Sequence, residues 1–220
     1  IDPRFWWDEV EHVLYIHNLD KPDAEYCVRV LPDVADRYGN QIDQEVSACF
    51  IGADVQPVFV PTNENNTLAL DAAAAARIYF VDVNVPTAEL TLSTMRLEEF
   101  GLYQASAQQQ LRRWTLAPDI APNGTELVAV DLAQDGGPLS TGVYHLAWAA
   151  AQLQDWSQRQ LYIAVIDTHL TLKMSPDEAL VWVTDLRSGQ PVANASVRVL
   201  SAAGRQLGTG RSDADGIARI

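Results

Sequence analysis

The sequence predicts an all-β chain built as a tandem array of antiparallel β-sandwich modules. Three observations carry that prediction. Short stretches of period-two alternation rich in β-branched and aromatic residues recur along the chain, among them Tyr26-Cys27-Val28-Arg29-Val30, Leu90-Thr91-Leu92, Val181-Trp182-Val183-Thr184 and Ser196-Val197-Arg198-Val199-Leu200. Turn signals separate them at Tyr38-Gly39-Asn40, Pro122-Asn123-Gly124, Asp135-Gly136-Gly137-Pro138, Ser188-Gly189 and Asp215-Gly216. The 11 prolines are spread out, which suits strand ends and loops and disfavours long helices.

Taken in order, the pattern breaks twice. Gln56-Pro57 and Val60-Pro61 interrupt it first, and Asp167-Thr168 separates one strand pattern from the next. We therefore expect three units, residues 1–57, 58–166 and 167–220. The first and last are short for sandwiches of about 100 residues, and the chain opens on Ile-Asp-Pro and closes on what reads as mid-strand, so it reads as a piece of something longer. The alanine run 72–76 favours helix but lies between strand-like neighbours, and is expected to be a strand connection. Residues 97–113 carry apolar residues at 97, 100, 103 and 111, a partial helical face, and are expected to form a short helix or an ordered loop crossing between strands.

Composition excludes several functions. The 220 residues carry 15 Lys and Arg against 29 Asp and Glu, a net charge of −14. That excess of negative charge argues against nucleic acid and anionic lipid as partners, both of which need clustered cations. No apolar run approaches the ~18 residues of a bilayer span, so no direct membrane insertion is expected. With 48% hydrophobic residues the chain can bury a core.

Candidate chemical groups are few. Cys27 and Cys49 each alternate away from the apolar face of their strands, and the turn between can lay those strands side by side. A cross-strand disulfide then forms if the register brings the Cβ atoms within about 4.5 Å, closing a loop of roughly 20 residues worth ~3 kcal/mol. Two free thiols in a reducing compartment are the alternative. No Cys-x-x-Cys points to a structural zinc site, and His12, His17, His145 and His169 show no metal-ligand spacing. Asp213-Ala214-Asp215-Gly216 imitates the start of a calcium loop but lacks the later Glu, and reads as a hairpin turn. No nucleophile elbow, phosphate loop or dinucleotide fingerprint occurs, and acidic pairs such as Glu98-Glu99 and Asp177-Glu178 read as solvated surface. No catalytic, cofactor-binding or metal-binding residue is nominated, and no enzyme activity is expected. A glycosidase would need paired carboxylates, and no such pair stands out. Three sequons, at Asn65, Asn123 and Asn194, are glycan acceptors only in a eukaryotic secreted protein. Trp148 and Trp182 fall inside strand patterns and are expected in the core. Trp6, Trp7 and Trp156 are the candidates for exposure and for a carbohydrate platform.

In sequence order the pieces resemble the N-terminal half of bacterial α2-macroglobulins. The run from Leu19 through Tyr26-Cys27-Val28-Arg29-Val30 to Asp36-Arg37-Tyr38-Gly39-Asn40 is similar to the end of a bacterial Ig-like domain. Residues 81–86, 90–100 and Gly142-Val143-Tyr144 are similar to a macroglobulin-type (MG) sandwich. Residues 179–200, followed by 208–218, resemble the start of the next MG domain. The resemblance implies a non-catalytic scaffold segment of a protease-trapping inhibitor of the cell envelope, its partners being proteases met through the full-length protein and the neighbouring domains of the same chain. It implies an extracytoplasmic location: periplasm, cell surface or secreted, with a lipoprotein anchor at a missing N-terminus. The family's thioester motif, Cys-Gly-Glu-Gln, is absent, since Cys27 is followed by Val-Arg-Val and Cys49 by Phe-Ile-Gly. The other reading is a cell-surface adhesion or carbohydrate-binding β-sandwich array.

Overall fold

The computed structural model describes the chain except residues 1–3, 12, 18–20, 33, 64, 101, 103–108 and 154–158. Among the described residues it is all-β, with strands β1 (Arg4–Asp8), β2 (Val13–His17), β3 (Glu25–Val30), β4 (Val46–Ile51), β5 (Val58–Pro61), β6 (Thr67–Asp71), β7 (Arg77–Val83) and β8 (Ala88–Thr94). A single-turn helix, α1 (Leu97–Phe100), precedes β9 (Gln109–Leu116), β10 (Thr125–Asp131), β11 (Gly142–Ala149) and β12 (Gln160–Ile166). The chain ends in β13 (Thr168–Met174), β14 (Ala179–Asp185), β15 (Ser196–Leu200), β16 (Gln206–Arg211) and β17 (Ile217–Arg219).

The main core lies between a three-stranded sheet, β10-β7-β5, and a five-stranded sheet, β6-β12-β11-β8-β9. Alternation decides which side chains enter it. Ile78 and Phe80 of β7, Leu90 and Leu92 of β8, Leu146 and Trp148 of β11 and Leu161 and Ile163 of β12 all face inward and are buried. Phe59 and Phe80 stack at 4.4 Å, Trp148 meets Phe80 edge-on at 5.1 Å, and its indole N–H donates to the Phe59 carbonyl oxygen at 3.1 Å. The aromatic pile thus satisfies its one polar group while joining both layers. Arg112 closes the open flank of the layers. Its guanidinium lies 4.2 Å from the Trp114 ring centroid and donates to the carbonyl oxygens of Asp131, Leu132 and Ala133 at the end of β10.

The strands pair antiparallel with one exception: β12 pairs parallel with β6, Tyr162 against Thr67 and Ile166 against Asp71. The alanines after β6 form the strand connection expected of them. Residues 97–113 divide differently from the expectation. Among the described residues of that stretch, helix occupies one turn, and from Gln109 the chain is the edge strand β9, whose Leu111 is exposed; residues 101 and 103–108 lie outside the described residues. Pairing with β8 gives β9 backbone partners along one of its edges.

The last strands form a smaller core of Val181, Val183, Val197 and Ala218, with sheets β13-β14-β17 and β15-β16 on either side. Trp182 does not join it. It stands on the opposite face of β14 from Val181 and Val183, 44% exposed, and its indole N–H donates to the Asp215 carbonyl oxygen at 3.2 Å. Alternation required one face for the valines and left the other for the tryptophan. The turn at Asp213-Gly216 is not a hairpin between paired strands either: β16 pairs with β15, and β17 with β14, so this turn carries the chain from one sheet to the other.

At the other end of the chain, β1 pairs with β2, and β3 with β4. These two hairpins expose much of their apolar surface, including Phe5, Trp6, Trp7, Leu14 and Phe50. No helix among the described residues is long and apolar enough to cross a membrane.

Candidate functional site

Cys27 and Cys49 stand directly opposite each other in the β3–β4 register and are disulfide-bonded. Alternation puts Tyr26 and Phe50 on the other face, where their rings stack at 5.6 Å. The bond and the ring pair thus fasten the two strands from both sides. Glu25, Cys27 and Cys49 bring a carboxylate oxygen and two sulfurs within 4.8 Å of one another, but both sulfurs are committed to each other, and neither is a thiolate that could hold a metal.

The histidines do not converge. His17 and His169 are exposed on different sheets, and His145, half-buried on β11, lies 3.2 Å from Gln160 Oε1. His12 and Trp156 lie outside the described residues. Asp213 Oδ1 accepts the amide N–H groups of Asp215 and Ile217, so its carboxylate serves the turn. Glu98 faces Arg198 at 2.9 Å, and its own backbone N–H and then Arg198 lower its pKa. Trp6 and Trp7 are more than half exposed; Trp6 packs 5.2 Å from Tyr15 across the hairpin, and Tyr15 lies 6.4 Å from His17.

Two joints between strands carry long-range polar contacts. The first is the stretch between β4 and β5. Gly52 is buried, with its N–H donating to the Ala24 carbonyl oxygen at 2.8 Å, and a Cβ there would run into the Lys21 carbonyl. Three residues on, Val55 is held through both of its backbone groups. Its N–H donates to Asn123 Oδ1 at 2.8 Å, and its carbonyl oxygen accepts from Asn84 Nδ2 at 2.7 Å. The two asparagines also bind each other: Asn84 Nδ2 donates to Asn123 Oδ1 at 3.0 Å, and the Asn123 N–H donates to Asn84 Oδ1 at 2.7 Å. Asn123 Nδ2 completes the set on Asp54 Oδ1 at 2.9 Å. Both asparagines adopt positive φ, +54° and +62°, a conformation Asn tolerates better than most residues.

The second joint is the corner at Asp167 between β12 and β13. Leu186 N–H donates to the Asp167 carbonyl oxygen at 2.8 Å. Two ion pairs also link residues before this corner to residues after it, Arg187 with Asp71 at 3.0 Å and Arg198 with Glu98 at 2.9 Å. Asp71 is held below the usual carboxylate range chiefly by the Ala73 N–H, and then by Arg187. Glu98 also lines an open groove of about 260 Å³, with Leu97, Leu102, Leu200 and Gly204 among its other walls. Residue types alone did not nominate either joint. The only sequence signals were Asn-Gly after Pro122 and an Asn in the turn after β7, and pairing residues that far apart needs the fold.

Residues 165–220 match the model of the family described as bacterial alpha-2-macroglobulin MG3 domain. No curated protein matches the chain. Among solved structures, the chain is similar over its whole length to Escherichia coli alpha-2-macroglobulin spanning domains MG0-NIE-MG1, with 15% identity, a TM-score of 0.67 and 75% of that chain covered. It is similar over 76% of its length to the E. coli fragment spanning NIE-MG1, with 16% identity, a TM-score of 0.64 and 88% of that fragment covered. The whole chain also aligns with Salmonella alpha-2-macroglobulin reacted with methylamine, with 16% identity and a TM-score of 0.74, and spans 14% of that molecule's length.

Proposed function

We propose, from a chain whose residues 165–220 match the bacterial alpha-2-macroglobulin MG3 domain and whose fold is that of bacterial alpha-2-macroglobulin structures, that it is a non-catalytic scaffold segment of a protease-trapping inhibitor. The family match carries this reading. The geometry agrees with it: the polar groups that converge do so at joints between strands, where they bind backbone and one another. In this reading residues 1–57 are the C-terminal part of an Ig-like sandwich, 58–166 an MG-like sandwich, and 167–220 the N-terminal part of a second one. The exposed disulfide favours an oxidising, extracytoplasmic location, with a lipoprotein anchor elsewhere in the polypeptide. Proteases are the partners, met by the longer molecule, and the neighbouring domains of the same chain are the immediate ones.

The test is a pair of incubations with trypsin. The longer polypeptide is expected to be cut at one exposed segment and to retain the protease through gel filtration, while residues 1–220 alone leave protease activity untouched. A longer polypeptide that neither suffers a defined cut nor retains protease refutes the proposal. A second reading, a carbohydrate-binding surface array, draws on exposed Trp6 with Tyr15 and His17 beside it. Retention of the 220-residue chain on a polysaccharide gel, lost on Trp6→Ala, would favour it.

A further inference from the structure

We propose that Asn123-Gly124 is a deamidation site gated by the clamp on Val55, and that its reaction releases the β4–β5 connection from the sheet layer that holds it. The proposal goes beyond the scaffold reading and does not depend on it. Asn-Gly is the dipeptide in which the following amide nitrogen is least hindered, because glycine has no Cβ. That nitrogen attacks Cγ of Asn123. The carboxamide nitrogen leaves as ammonia, taking the proton that the Gly124 nitrogen gives up, and a succinimide closes. Water adds to either ring carbonyl, and the ring opens to aspartate or isoaspartate. One water is consumed and one ammonia released, with no change of oxidation state.

The folded chain opposes the first step at both reacting groups. The Gly124 N–H is engaged by the Ala121 carbonyl oxygen at 2.9 Å. The Asn123 carboxamide is held on both atoms, its oxygen by the Val55 N–H and Asn84 Nδ2, its nitrogen by Asp54 Oδ1. The carboxamide must leave these partners before its carbon can meet the nitrogen, so reaction passes through local opening of the clamp. The same engagement of Nδ2 closes this sequon to glycan attachment while the clamp is shut.

The product does not restore the clamp. An aspartate at this position has only acceptors, so the atom 2.9 Å from Asp54 Oδ1 changes from a donor into a second carboxylate oxygen. Two carboxylates at that separation repel. The connection that was fastened by Asn123 is then pushed off by it, and the step is irreversible.

Two measurements on the 220-residue chain test this. In mildly alkaline buffer, isoaspartate at position 123 is expected to accumulate much more slowly in the folded chain than in the same chain in denaturant. Equal rates remove the gate, and no reaction in denaturant removes the site. Hydrogen exchange then reads the release. Asn123→Asp is expected to speed exchange at the Val55 amide by about tenfold, the factor for one lost hydrogen bond. Adding Asp54→Asn, which returns a donor to the pair, restores slow exchange. Unchanged exchange in Asn123→Asp, or failure of the double variant to rescue a folded single variant, overturns the release.

Discussion

Asp82 shows how one side chain can work against its own burial. It sits on the core-facing side of β7 with no exposed surface; one carboxylate oxygen accepts the Val85 N–H at 3.2 Å and the other has no partner. Burial raises its pKa above the ordinary 3.8. The folded chain therefore holds this proton more tightly than the unfolded chain, so the group favours folding most below pH 3.8 and progressively less as pH rises through the folded value. Asp82→Asn keeps an acceptor for Val85 and removes the ionisation. It is expected to flatten that part of the pH profile and to be the more stable chain at neutral pH, as thermal melts across the range will check. Glycine makes a second contrast at this scale. Gly189 and Gly216 both have positive φ, +67° and +76°, but a Cβ on Gly189 meets open space, while one on Gly216 lies 2.5 Å from the Val183 carbonyl oxygen. Gly189→Ala is expected to cost about 1 kcal/mol. Gly216→Ala should cost more, since the backbone of β14 must also shift, and denaturant melts of the two variants rank them.

Among the elements, the β3–β4 hairpin depends most on a covalent tie, because it is a two-stranded sheet with both strands largely exposed, and such hairpins are marginal alone. Replacing Cys27 and Cys49 together by Ala is expected to remove about 3 kcal/mol, read as earlier melting that reductant no longer affects. The pairing was legible because alternation placed Tyr26 and Val28 on one face and Cys27 on the other, and a two-residue period leaves few registers. Alternation also marked β14, yet the expected burial of Trp182 failed. Period two says that Trp182 opposes Val181 and Val183; it does not say which of the faces has a second layer over it, and here the small valines took that side. Residues 97–113 were read correctly only at their start, where the expected short helix forms at Leu97–Phe100. Leu97, Phe100 and Leu111 fit one helical stripe on paper, but pairing with β8 drew the later part into an edge strand.

For the whole molecule, the joints matter more than any one sheet. The pairs Arg187–Asp71 and Arg198–Glu98 are partly exposed, so they are expected to orient the strands they join while adding little to melting temperature. Because Asp71 and Glu98 both have lowered pKa values, these contacts persist at neutral pH and are lost as pH falls through their folded values. Reversing Glu98→Arg alone should alter the solution scattering profile, and adding Arg198→Glu should return it. The sequence made the all-β class readable, because turn residues and strand alternation are local. It could not show that Asn84, Asn123 and Val55 meet, or that Arg112 gathers three carbonyls, since those partners are brought together only by sheet closure. The parallel pairing of β12 with β6 has one more consequence. Thr67 finds its neighbour at Tyr162 only after β7 to β11 have been made, so during synthesis β6 waits as an open, sticky edge. The nascent chain is therefore most prone to self-association before its twelfth strand emerges, and chaperone capture should peak in that interval.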